Sequence, residues 1–212
     1  MEHTNVFQRH LMPLSVDLAS VGKWILTGEH AVLRGVPALV FPLTSRRLFI
    51  KGELHLLPGE DTALEQCQLE FGGEFGRDLQ PLFYEIFKKA LDLIPKGPKF
   101  VVKGHLKIIS ELPLGAGLGT SASLSVALGR IFWNLGLVKE EELFSWATSL
   151  EHFFHGESSG VDVAAVLHQA PLLYSRYGGL KVCRFSYFPP ISLHYVGTKG
   201  YTRDCVAKVK EV

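Results

Sequence analysis

Residues 113 to 123 read Pro-Leu-Gly-Ala-Gly-Leu-Gly-Thr-Ser-Ala-Ser, a loop with glycine at every second position that runs into two hydroxyl residues. Gly115, Gly117 and Gly119 can take dihedrals closed to other residues and leave no Cβ in the way, so successive backbone N–H groups can converge on an anion. A helix opening at Thr120 adds its own unpaired N–H groups and the positive end of its dipole. A tight strand-to-helix turn with a threonine cap accounts for the same residues without a ligand. Two familiar phosphate loops are excluded. Gly119 is followed by Thr120 and Ser121 with no lysine, as a Walker A loop would need, and the glycine spacing is not that of a dinucleotide fold.

A chain of 212 residues can form one large domain, or a domain with a fragment of another, around a substantial core. Its 22 basic and 21 acidic side chains give no electrostatic case for nucleic acid or an anionic membrane. The longest apolar stretch, Val36 to Leu43, is broken by prolines and too short to span a bilayer, and the N-terminus has no secretory pattern; a cytoplasmic protein is the expectation. Cys67, Cys183 and Cys205 are odd in number and far apart, and read as reduced packing residues.

Alternation and β-branched runs predict strands at Val16 to Ala19, Leu48 to Leu57, Leu64 to Phe71, Phe100 to Ile109, Leu172 to Ser175, Leu180 to Phe185 and Ile191 to Val196. Three helical patterns lie among them. Leu82, Phe83, Ile86, Phe87, Ala90 and Leu91 mark the first, ended by Pro95; the second runs from Thr120 to Leu135; the third carries Leu143, Ala147, Leu150 and Phe154 and ends at Gly156. This order argues for an α+β sheet covered by helices. Pro58-Gly59, Gly72-Gly73 and Gly97-Pro98 read as turns.

Two further clusters carry polar residues where the surroundings are apolar. Gly22-Lys23 flanks the first strand and is followed by Gly28-Glu29-His30 and Gly35; surface solvation explains each residue taken singly. Glu151 sits at the edge of an apolar helical stripe, where a carboxylate is partly desolvated unless a cation meets it. Beyond it come Ser158, Ser159, Gly160 and then Asp162, a lone acid in the apolar run Val161 to Leu167, for which a helix cap is the alternative reading. A phosphate loop, a hydroxyl at its helix start, a carboxylate to share Mg²⁺, a lysine and an aspartate are the parts of a phosphoryl-transfer site.

Here the sequence resembles a known family, the GHMP small-molecule kinases. Pro113 to Ala122 matches the family motif Pro-X-Gly-X-Gly-Leu-Gly-Ser/Thr-Ser-Ala. Gly28 to Gly35, Gly-Glu-His-Ala-Val-Leu-Arg-Gly, is similar to the segment Gly-Glu-His-X-Val-Val-X-Gly of the mevalonate kinase branch, as are Val36-Pro37-Ala38 and Phe41-Pro42-Leu43. Ser159 to Asp162 matches Ser-Gly-X-Asp.

The resemblance implies the fold of the family's N-terminal domain, a ribosomal protein S5 domain 2-like sheet covered by helices, over residues 1–196. It implies ATP and Mg²⁺ as cofactors and phosphorylation of mevalonate to 5-phosphomevalonate. Asp162 resembles the catalytic base and Lys23 the lysine that steadies the deprotonated alcohol. Pro113, Gly115, Ala116, Gly117, Leu118, Gly119, Thr120 and Ser121 would hold the ATP phosphates, and Ser121 with Glu151 would hold the metal. Glu29 and His30, with Lys23 and Asp162, would line the mevalonate pocket.

The chain departs from the pattern in places. Val21 stands where the family has proline, and Glu157-Ser158 replaces Asn-Pro, adding a negative charge near the base that either raises its pKa or stands in solvent. No third glycine-rich motif follows Gly179. Tyr201 to Cys205 resembles the Ser/Thr-Arg-X-Thr segment near the domain junction, so residues 197–212 are expected to begin a C-terminal ferredoxin-like domain that is largely absent. A homodimer or a partner completing the site is one expectation, and a degenerate domain that binds nucleotide without turnover is another. A phosphomevalonate kinase is the rival within the family, because of Asp162-Val163-Ala164-Ala165. The segment at Gly119 lacks the last glycine of a hydrolase elbow. His152, His155 and His168 could ligate zinc, but the first two read better as helix-end residues favoured by the dipole.

Overall fold

The computed structural model describes residues 13–59, 63–94 and 100–194. Its spine is one long strand, β2 (Ala38–Pro58). On one edge β2 carries β1 (Leu14–Thr27), antiparallel; on the other it carries β4 (Phe100–Ser110) against residues 48–58 and β5 (Leu172–Ser175) against residues 38–40. β3 (Ala63–Gly72) adds to β4 in parallel and β6 (Gly179–Val182) to β5 antiparallel. Leu48, Ile50, Leu54 and Leu56 of β2 are buried while Lys51, Glu53 and Leu57 are exposed, the period of two that a sheet with one covered face imposes.

The cover comes from helices. α1 (Gly76–Asp92) makes the crossover between the parallel strands β3 and β4, and turns Leu79, Phe83, Ile86, Phe87 and Ala90 inward. α2 (Thr120–Asn134) is buried along most of its length, with α3 (Leu143–His155) packed beside it. Ring contacts run across the three helices, Phe83 to Phe87 at 5.8 Å, Phe87 to Phe132 at 5.6 Å and Phe132 to Trp146 at 5.4 Å. Edge-on geometry at the last two adds to what burial alone supplies. α4 (Val161–His168) packs against β1, β2, β5 and α2. Mixed sheet and helices make this the α+β domain expected from the sequence.

The differences from expectation have physical reasons. β1 extends well past Ala19, because Ser20 to Lys23 are all buried and the alternation that marks a strand disappears there. β2 reaches back to Ala38 across a register shift in which Thr44 to Arg46 bulge out opposite Val21 and Gly22. α4 is apolar on almost every side, so it shows no amphipathic period. At the far end β6 stops at Val182, where Cys183 N donates to Pro171 O (2.8 Å) outside the ladder, and residues 191–194 form no strand. Residues 195–196, the proposed 197–212 segment, Cys205 and the Gly97-Pro98 turn lie outside the described residues.

Candidate phosphoryl-transfer site

The glycine loop leaves β4 and enters α2 through three left-handed residues, Gly115 (φ 76°), Gly117 (φ 73°) and Gly119 (φ 75°). Thr120 is not a cap. Its hydroxyl donates back to Pro113 O at 2.9 Å, closing the loop on itself, and α2 begins with no side-chain cap at Gly119. No side chain caps the N–H groups at the start of this helix, and a helix N-terminus left so is suited to an anion. An open cleft of about 440 Å³ borders the loop at Leu118 and is lined by Trp24, Leu43 and Arg46 together with the segment from Phe188 to Leu193.

Strand β1 runs under this loop. Lys23 N donates to Leu118 O at 2.9 Å, and a Cβ built on Gly119 would stand 2.6 Å from Lys23 Cγ, so the lysine stem fills the space that glycine leaves. Gly22 is equally constrained, since a Cβ there would stand 2.8 Å from Leu118 O. Led by this packing, Lys23 Nζ reaches Asp162 Oδ2 at 3.0 Å; the lysine side chain is 4% exposed and the aspartate 25%. Asp162 lies in the first turn of α4, where the helix dipole favours its negative charge.

Ser121 and Glu151 come from α2 and α3 and meet beside this pair. Glu151 is 1% exposed. Burial, and after it the charge of Asp162, push its carboxyl up to about 8, while a hydrogen bond from Ser121 and the charge of Lys23 pull the other way. Hydroxyl and carboxyl oxygens are the donor set a hard divalent cation takes. A cation here would also meet the charge that burial disfavours.

Lys23, Asp162, Ser121, Glu151 and the loop from Pro113 to Thr120 are thus brought together. Glu29 and His30 lie in a turn before the 3-10 helix Ala31–Arg34, with Glu29 exposed and His30 half-buried. Glu157 is half-buried, and its carboxylate accepts from Arg176 Nη1 at 2.6 Å. His152 Nδ1 lies 2.7 Å from Thr148 O within its own helix. Arg176 and Tyr174, which hold the turn before Asp162, were missed by the sequence reading. No spacing rule marks them.

Residues 82–170 match the model of the GHMP kinases N terminal domain, a stretch that includes the loop, Glu151 and Asp162. Over that stretch the chain is similar to the N-terminal domain of the GHMP kinases. The mevalonate kinase of Pyrococcus horikoshii is 31% identical over 89% of this chain and 59% of its own length; that of Pyrococcus abyssi is 30% identical over 94% and 62%. The chain therefore spans about three-fifths of the relatives it matches. Among solved structures, S. aureus mevalonate kinase is 26% identical with a TM-score of 0.51, covering 79% of this chain and 55% of that one. The L. major mevalonate kinase in complex with R-mevalonate superposes with a TM-score of 0.61 at 24% identity over 82% of this chain and 54% of that one, and bears on the fold alone. Among the described residues no helix is long and apolar enough to cross a membrane.

Proposed function

We propose that this domain carries the nucleotide-phosphate cradle and the acid–base pair of an ATP-dependent alcohol kinase, with mevalonate as acceptor and 5-phosphomevalonate and ADP as products. The observation that carries the reading is the Lys23–Asp162 pair at 3.0 Å, packed directly beneath Gly119 of an uncapped glycine loop. A primary alcohol is a poor nucleophile at neutral pH. Asp162 would accept the proton of the acceptor hydroxyl, and the ammonium of Lys23 would steady the charge developing on that oxygen. The N–H groups of the loop and of the first turn of α2 would receive the nucleotide phosphates. Ser121 and Glu151 would hold Mg²⁺, which supplies charge neutralisation on the phosphates. Glu29 and His30 would serve the acceptor side, a role supported by their family motif.

Incubation of the purified chain with Mg-ATP and mevalonate tests this. ADP release should depend on mevalonate and vanish in Asp162→Ala. Because the chain spans only part of its relatives' length, a domain that binds nucleotide without turnover is the second reading. ATP binding with no mevalonate-dependent ADP would select it and reject the first.

A further inference from the structure

β5 ends in Tyr174-Ser175, Arg176 follows in the next turn, and all three side chains bind turns that border the site. Tyr174 Oη donates to Ser159 O at 2.6 Å, and Arg176 Nη1 donates to Glu157 Oε1 at 2.6 Å. Ser175 Oγ donates to Gly35 O at 2.9 Å, and Arg176 Nη1 also reaches Leu33 O at 3.5 Å. The first two bonds fall on the turn that leads into α4 and Asp162. The others fall on the end of the 3-10 helix that follows Glu29-His30.

The turn before Asp162 has little room to shift. Gly160 takes φ 83°, and a Cβ there would stand 2.9 Å from both Tyr174 Oη and Phe144 Cζ. Its own bonds are longer, Gly160 N to Ser158 Oγ at 3.1 Å and Val161 N to Ser159 Oγ at 3.3 Å. The short contacts to Tyr174 and to Arg176, the latter between charged groups, are thus the stronger restraints on where α4 starts. Tyr174 is 5% exposed, so its hydroxyl is poorly placed to exchange this partner for water.

We propose that Tyr174 and Arg176 are positioning residues: they tether the 157–160 turn to β5 and thereby keep the Asp162 carboxylate in register with Lys23, while Ser175 ties the same strand end to the turn after His30. The kinetic consequence rests on the phosphotransfer reading. The tether itself does not.

Tyr174→Phe and Arg176→Met, with Arg176→Lys as the conservative variant, test the tether through three readouts. Amide hydrogen exchange in a peptide covering 156–163 should quicken about tenfold while the α2 peptide 120–134 is unchanged. Acylation of Lys23 by a water-soluble succinimidyl ester should rise as Asp162 drifts from it. The kcat for mevalonate phosphorylation should fall about tenfold with KM for ATP held, and Arg176→Lys should recover part of it. Lys51→Met, which removes an exposed pair with Asp17, is the control that should change none of these. Unchanged exchange at 156–163, or quickening spread evenly over the sheet and helices, overturns the proposal. So does local loosening with Lys23 acylation and kcat intact. Local loosening with faster Lys23 acylation, in a chain whose wild type makes no ADP, upholds the tether and sinks the phosphotransfer reading instead.

Discussion

Lys23 Nζ and Asp162 Oδ2 form an ion pair at 3.0 Å whose cationic partner is almost wholly enclosed and whose anionic partner keeps contact with water. That asymmetry sets what each deletion does. Lys23→Met leaves Asp162 able to rehydrate, so the fold should lose only about 2 kcal/mol in urea unfolding, less than the ~3–5 kcal/mol of a fully buried pair broken on one side. Mevalonate-dependent turnover should fall by about 10²- to 10⁴-fold. A stability loss without a rate loss would remove Lys23 from the reaction.

Gly119→Ala and Gly117→Ala separate backbone strain from crowding. Both glycines are left-handed, which costs an alanine roughly 1–2 kcal/mol. Only at Gly119 does the new methyl meet the lysine stem, at 2.6 Å, whereas nothing lies within 4 Å at Gly117. Gly119→Ala should therefore destabilise more, and should weaken ATP binding, measured by titration calorimetry, further than Gly117→Ala does. Equal effects at the two positions would show that the Lys23 contact yields without consequence.

Glu151→Gln keeps an oxygen for Ser121 while removing a charge that burial already disfavours. The metal-free protein should tolerate it, with a melting temperature within about 3 °C of wild type. The gain in ATP affinity on adding Mg²⁺ should shrink by about tenfold. If that gain survives intact, the cation is held elsewhere.

Cys67 on β3 offers a pH test remote from the site. Burial pushes its thiol up to about 11, so the nucleophilic thiolate is scarce at pH 8 and accumulates only well above it. In a Cys183→Ser, Cys205→Ser background, iodoacetamide labelling of Cys67 should keep climbing beyond pH 9 as the thiol deprotonates. A rate already half-maximal near pH 8.5 and flat above about pH 10 would mean an ordinary exposed thiol.

Where side chains repeat with the period of their element, the sequence was readable. α1, α2 and α3 lie where their apolar stripes put them, and β5 matches its residues. Where both faces are covered the period vanishes, which hid α4 and the second half of β1. Asp162 looked isolated in sequence for that reason. The loop was legible as a backbone device, yet the assignment of Thr120 as a possible cap did not hold, because its hydroxyl closes the loop onto Pro113. Lys23, Ser121, Glu151 and Asp162 were gathered by resemblance to a family rather than by spacing. Tyr174 and Arg176 act on carbonyl and carboxylate groups of distant turns, and such bonds leave no trace in a linear pattern.

The hydrogen bond from Lys23 N to Leu118 O makes the loop an extension of the sheet. Loop, strand and helix α4 must all be native before the cradle exists, so an anion seated there reports on cooperative folding of the domain rather than on local ordering. By mass action such a ligand protects residues far from its contacts, and at a hundredfold excess over its Kd the gain is about 2.7 kcal/mol. Nucleotide would then act as a chaperone-like brace for β1 and α4, slowing exchange at amides it never touches.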